Sequence, residues 1–367
     1  MFIINLKQVI IILAAITTFS CFAPASYITR ENSTFIQPIT CDARFGWYTD
    51  KPYEKEDFER VKELVQKYGE GNGFTVMKLI QRAQEYCNKE GDHIMAWMVM
   101  LGKERFYQNL SSAVHEETHS FTSSAHYDMV GKHLRSSGKT IEFEIPSGNY
   151  SSFYLEGWGT HQVKTKALYD SYEITKILPP KKFSGLRYDT YITGSKYNTS
   201  RQYGIYGLLD EYHAYYHGTK ISYNMQKAGL YKDLSNEYTS FVEFTLFILK
   251  YLEYAEKKYP KIYETTMKDA LVLETFIRIY DKFEPIFCEL AEQNDKSNLR
   301  IYNYKNIGKV SYKGDSCSAT LTIYETTGTD KKYYSFSKEM EPYINELNSD
   351  NMKKRLKEVR ANAHIEQ

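Results

Sequence analysis

The chain has 367 residues, with 47 basic and 46 acidic side chains and a formal net charge of +1. That balance, with no basic stripe along the chain, argues against nucleic acid or an anionic lipid surface as a partner. Hydrophobic residues make up 42% and aromatics 15%, including 34 tyrosines, enough for a packed core and against a disordered chain.

The first 25 residues read as a secretory signal. Lys7 gives a modest positive start, and Val9 to Phe22 form an apolar stretch interrupted by Thr17, Thr18 and Ser20. Ala23-Pro24-Ala25 then offers a small-x-small cleavage site before Ser26. The stretch is short for a membrane span, which needs about 20 apolar residues. Later, Phe241 to Leu252 is interrupted by Glu243 and Lys250, so no transmembrane span is expected in the mature chain. An uncleaved N-terminal anchor is the alternative. Cys21 also leaves a lipid anchor open, although Thr18-Phe19-Ser20 fits a lipidation signal poorly. The expected location is secreted or extracytoplasmic, in a periplasm or at a cell surface. Cleavage leaves Cys41, Cys87, Cys288 and Cys317, with no CxxC pair to suggest a cysteine-bound zinc. In an exported chain they allow one or two disulfides in three possible pairings, with buried free thiols as the other reading. Asn32, Asn109, Asn149 and Asn198 each begin an N-x-Ser/Thr sequon.

Apolar residues at three-to-four spacing predict helices over Glu54 to Tyr68, Thr75 to Asn88 and His93 to Tyr107. The first two are separated by the break Gly69-Glu70-Gly71-Asn72-Gly73. A further helix is expected to start near Asn109 or Ser111, either of which can cap it. Alternation of Ile141, Phe143 and Ile145 with Glu142 and Glu144 predicts strand structure over Thr140 to Tyr154, with a turn at Pro146 to Asn149. Leu186 to Ile192 is a second strand candidate. Gly204 to Gly218 has helical spacing, and two long helices follow, Asn236 to Lys258 and Lys261 to Gln293, divided by Pro260. Leu299 to Thr326 predicts a small antiparallel sheet turning at Gly314, and a polar helix from Ser337 to Arg360 ends the chain. The fold class is mainly α with a minor β component (α+β). The expected organisation is a signal over 1–25, one large domain over 26–330 and a helical C-terminal extension over 331–367.

The most specific feature is His115-Glu116-Glu117-Thr118-His119. Helical residues four apart lie about 40° from each other around the axis, so His115 and His119 share one face. Their imidazoles can chelate one metal ion, with Glu116 beside it to polarise a bound water. Ser112 and Thr122 flank them on that face, while Leu110, Val114 and Phe121 gather on another, the expected core stripe.

These residues resemble the zincin metallopeptidases. The resemblance implies that His115 and His119 bind one zinc ion and that Glu116 is the general base of an exported enzyme hydrolysing peptide bonds. Glu117 departs from the family, which usually has an uncharged residue there, and its angle sets it beside the apolar stripe. The metzincin extension is absent, since Thr122 and Ala125 stand where it needs Gly and His.

The third ligand must then come from elsewhere. Read as a helix, Gly204 to Gly218 puts Ile205, Leu208, Leu209, Tyr212 and Tyr216 on an apolar face. Gly204, Gly207, Glu211, Ala214 and Gly218 fall on a second stripe, where repeated glycine suggests close approach of another backbone. A carboxylate in such a seam needs a partner, and zinc would supply one. This is similar to the gluzincin arrangement and favours Glu211, with Asp210 and His126 as alternatives. Tyr215 shares a face with Glu211, and its phenol can hydrogen-bond a developing oxyanion. His213 and His217 are also four apart. They read as a second metal pair, as groups supporting the site or, the preferred reading, as solvated residues. The rival to the enzyme is a non-enzymatic exported or surface-attached binding protein that keeps a zincin-like scaffold.

Overall fold

A computed structural model describes residues 55–87, 94–95, 97–98, 106–123, 150–185, 187–230, 236–297, 304–326 and 338–364. The signal, Cys21, Asn32, Cys41, His126, Asn149 and the expected strand residues 140–149 lie outside them. The described residues are mainly helical, with two two-stranded antiparallel sheets. Two compact units divide the chain: Met1–Thr165 with Tyr197–Thr199, and Lys166–Lys196 with Ser200–Gln367.

The first unit holds α1 (Lys55–Tyr68), α2 (Phe74–Cys87), α3 (Phe106–Thr122), β1 (Tyr150–Leu155) and β2 (Gly159–Lys164). Helix α1 buries Phe58, Val61 and Val65, the three-to-four spacing read from the sequence. It stops at three successive left-handed residues, Gly71 (φ 54°), Asn72 (58°) and Gly73 (69°). A Cβ on Gly71 would lie 2.0 Å from the Tyr154 hydroxyl, so glycine is required there for space as well as for backbone. Of the expected third helix, Ile94, Met95, Trp97 and Met98 are helical and buried, while Phe106 and Tyr107 belong to α3.

Helix α3 starts earlier than the sequence suggests. Asn109 and Ser111 lie inside it and are buried rather than capping it. Its first turn is held by tertiary contacts: the Arg60 guanidinium sits 4.5 Å over the Phe106 ring and donates to the Tyr107 hydroxyl at 3.1 Å. The hairpin pairs Tyr150 with Lys164 through to Leu155 with Gly159. Strand β2 had no strong sequence signal, because Val163 is its one buried residue.

The second unit holds α4 (Ile205–Lys227), α5 (Ser240–Lys258), α6 (Pro260–Met267), α7 (Ala270–Ser297), β3 (Tyr304–Lys313), β4 (Ser318–Thr326), α8 (Glu341–Leu347) and α9 (Asp350–Asn362). Its core is aromatic. Tyr212 of α4 stacks on Phe283 of α7 at 5.8 Å, and Phe241 of α5 stacks on Phe287 at 5.0 Å. Tyr312 of β3 meets Phe287 edge-on at 5.1 Å, which joins the second sheet to this cluster.

Three expectations change here. The strand expected from Leu186 to Ile192 is not formed by its described residues: Tyr188–Ile192 is one wide helical turn, closed by the Thr193 N–H on the Tyr188 carbonyl at 3.0 Å. Its buried residues Tyr188, Tyr191 and Ile192 have helical spacing, which the aromatic and β-branched composition masked. The helix expected over Lys261 to Gln293 is two, α6 and α7, parted where Asp269 turns to pair with Lys166 at 2.6 Å. The C-terminal helix is also two, because Ser349 caps α9 by accepting from the Met352 N–H at 3.3 Å.

A disulfide joins Cys288 of α7 to Cys317 in the β3–β4 turn. Asn109 and Asn198 are buried, so their sequons are shielded in the folded chain. Among the described residues no helix is long and apolar enough to cross a membrane.

Candidate metal centre

Helix α3 carries the motif histidines on one face, as the spacing predicts. Both are buried, their Nε2 atoms are 3.0 Å apart and their rings meet edge-on. The helix is anchored from two sides. The Thr118 hydroxyl donates to the Val114 carbonyl at 2.8 Å and lies 3.3 Å from the Thr75 hydroxyl at the start of α2. Phe121 packs edge-on against Phe74, which in turn stacks on Tyr154 of β1. Leu110, Val114 and Phe121 form the buried stripe expected of them. Glu116 is 7% exposed, while Glu117, expected beside the apolar stripe, is fully buried.

Helix α4 carries Glu211. Its start is fixed by Gly204, which lies outside the helix at φ 53° instead of within the glycine stripe. A Cβ there would come within 2.5 Å of the Tyr251 hydroxyl and 2.6 Å of the Tyr169 carbonyl. That hydroxyl accepts from the Tyr169 N–H at 2.8 Å and donates to the Tyr169 carbonyl at 3.0 Å, so a phenol clamp sits where a side chain would go. Farther along, Ile205, Leu208, Leu209, Tyr212 and Tyr216 are buried as expected, and the Tyr212 hydroxyl is 3.0 Å from that of Thr245. Gly207, Ala214 and Gly218 are buried too.

One ligand atom each from His115, His119 and Glu211 lies within 4.8 Å of the others, and all three residues are buried. They can hold a metal ion. Two imidazole nitrogens and a carboxylate oxygen are donors that zinc accepts, at bonds of about 2.0–2.2 Å. Ligand atoms of a tetrahedral site then stand about 3.3–3.6 Å apart, a spacing that the 3.0 Å between the histidine Nε2 atoms approaches. Asp210, the alternative carboxylate, does not belong to this group.

His213 and His217 are not solvated. They are 0% and 2% exposed, with Nε2 atoms 3.0 Å apart. The reason is that α4 buries most of its circumference, so it has no wet face at that depth.

Tyr215 is half-buried. Its hydroxyl is 3.0 Å from that of Tyr191, and the Arg187 guanidinium lies 4.5 Å over its ring. Burial pushes the phenol above its ordinary value; the Arg187 cation opposes this and the Glu211 charge adds to it. Arg187 is itself buried, donating to Glu243 at 2.6 Å and to the Thr239 hydroxyl at 2.8 Å. Sequence reasoning missed this group. Its signal was Glu243 within the apolar run of α5, a charge that needs a buried partner.

Compared with known protein families, curated proteins and solved structures, the chain matches none.

Proposed function

We propose that the protein is an exported zinc-dependent peptidase, with His115, His119 and Glu211 as metal ligands and Glu116 as general base. The observation that carries this reading is that a carboxylate distant in sequence meets the two motif histidines in a buried group of three. An acid directly follows the first histidine, and a purely structural zinc has no need of one.

Zinc in this donor set would supply Lewis acidity and lower the pKa of a water at its open position. Glu116 takes the proton and later returns it to the leaving amine, which requires a carboxylate rather than an amide. Tyr215, one turn from Glu211, donates a hydrogen bond to the oxyanion that develops on the substrate carbonyl. Export is supported by the apolar N-terminus and by the Cys288–Cys317 disulfide, which suits an oxidising compartment.

The test pairs metal analysis of purified protein with a Glu116→Gln variant, assayed on a denatured protein mixture. Stoichiometric zinc in both proteins, with cleavage by the wild type alone, is the expected result. Stoichiometric zinc without cleavage by the wild type replaces the enzyme with the metal-holding binding protein. Absence of zinc after loading removes both.

A further inference from the structure

Glu284 is a buried carboxylate in α7, far in function from any metal ligand, and five donors converge on it. One oxygen accepts from the Tyr280 hydroxyl at 2.6 Å, the Tyr312 hydroxyl at 2.7 Å and the Asp315 N–H at 2.9 Å. The other accepts from the Ser316 N–H at 2.8 Å and the Ser316 hydroxyl at 2.5 Å. Glu284 is 0% exposed, so each of these bonds is made out of water. Two donors come from α7 and β3, and three come from the turn that joins β3 to β4. The carboxylate therefore grips the backbone of that turn.

The turn is shaped to receive it. A Cβ on Gly314 would fall 1.8 Å from a Glu284 oxygen and 2.5 Å from the Tyr312 hydroxyl, so position 314 has room for no side chain. The Gly314 N–H bonds the Cys317 carbonyl at 3.0 Å, which closes the turn around the carboxylate. Outside, Arg360 of α9 donates to both Asp281 of α7 and Asp315 of the turn.

Cys317 directly follows Ser316, and Cys288 stands four residues beyond Glu284, on the same face of α7. Whatever grips residues 315 and 316 at Glu284 brings the Cys317 sulfur to Cys288. We propose that the Glu284 carboxylate templates the Cys288–Cys317 disulfide, selecting it from the three pairings that Cys41, Cys87, Cys288 and Cys317 allow. The covalent bond is then a second fastener on a joint that the carboxylate has already closed. Oxidation follows by exchange with a low-molecular-weight disulfide such as oxidised glutathione: the two thiols give up two protons and two electrons, one S–S bond forms, and two glutathione thiols are released.

The inference is independent of the metal site and is tested on the full chain. Reduced, unfolded protein is refolded in glutathione buffer, and its disulfides are mapped by peptide mass spectrometry. Wild type should form Cys288–Cys317 as its dominant pair. Glu284→Gln turns an acceptor oxygen into a donor facing donors, and should lower the equilibrium constant for that pair against glutathione by roughly ten- to a hundredfold. Pairs involving Cys41 or Cys87 should then appear. Ser316→Ala should shift the constant the same way by less. An unchanged constant in Glu284→Gln overturns the proposal.

A second measurement covers a variant that refolds poorly. In Cys317→Ser no Cys288–Cys317 bond can form, yet Cys288 should stay protected from iodoacetamide because Glu284 still holds the turn. Adding Glu284→Gln should expose it. Equal labelling rates in the single and double variants also overturn the proposal.

Discussion

Two helices of this protein carry histidines four residues apart, and the pairs are nearly indistinguishable by themselves. In α3 the Nε2 atoms of His115 and His119 are 3.0 Å apart, and in α4 those of His213 and His217 are also 3.0 Å apart. All four side chains are buried. The difference lies outside the pairs. His115 and His119 share ligand range with Glu211, whereas among the described residues His213 and His217 belong to no group of three metal-ligating side chains. Helical spacing makes two imidazoles neighbours whatever their purpose. It takes a third donor from another element to turn neighbours into a coordination site.

The sharpest way to break the comparison is to delete one histidine from each pair. His115→Ala or His119→Ala should abolish stoichiometric zinc binding, measured by metal analysis after loading and desalting. His213→Ala should keep the zinc and lose stability instead. It opens a cavity at a fully buried position and removes a hydrogen-bonding ring, at a cost of about 2–4 kcal/mol by denaturant titration. Zinc loss from the His213 variant at a temperature where it remains folded would merge the two pairs into one site and refute the contrast.

The next effect belongs to the carboxylate. Glu211→Gln should weaken zinc by more than the 10–100-fold typical of residues that only orient ligands, read by competition with a chelator. Asp210→Asn, the neighbour that sequence left open as a ligand, should leave affinity unchanged within about twofold. A reversal of these two results would exchange their roles.

The difference between the pairs was only partly legible in the sequence. Local periodicity gave α1, α2 and α5 to within a few residues and the start of α4, which runs on past Gly218 to Lys227; motif spacing gave the α3 pair, because each depends on residues close together in the chain. Glu211 was reached by asking why glycine and alanine should line one stripe of a helix. Part of that stripe was misread, since Gly204 serves the Tyr169–Tyr251 clamp before the helix begins. The burial of His213 and His217 was illegible for another reason. Tyr212, Tyr216 and Leu209 identify one buried face of α4, but burial of the opposite face depends on chain that local periodicity does not report. Composition misled once more at Tyr188–Ile192, where strand-forming residues make a helical turn because their burial spacing is helical.

The smallest expected effect concerns acid, and it separates loss of metal from loss of fold. Acidification would protonate the imidazoles and so release a metal held by them, but a second acid-sensitive group lies in α5. Burial alone would raise the Glu253 carboxyl; Lys250 at 2.7 Å and Lys257 at 2.6 Å outweigh it and hold the group below its ordinary value. A carboxyl depressed by folding stabilises the native state above its unfolded pKa, near 4.3 for glutamate. That contribution fades as pH falls through the lower folded value. Lys257 is half-exposed and so screened by solvent, and the contribution is correspondingly modest. Glu253→Gln should therefore lower Tm by about 2–4 °C at pH 7, with the gap from wild type closing as pH drops below about 4. Zinc content at pH 7 should be unchanged in this variant, since Glu253 lies outside the ligand group. A Tm gap that persists undiminished into strong acid would mean that packing, not charge, is what Glu253 contributes.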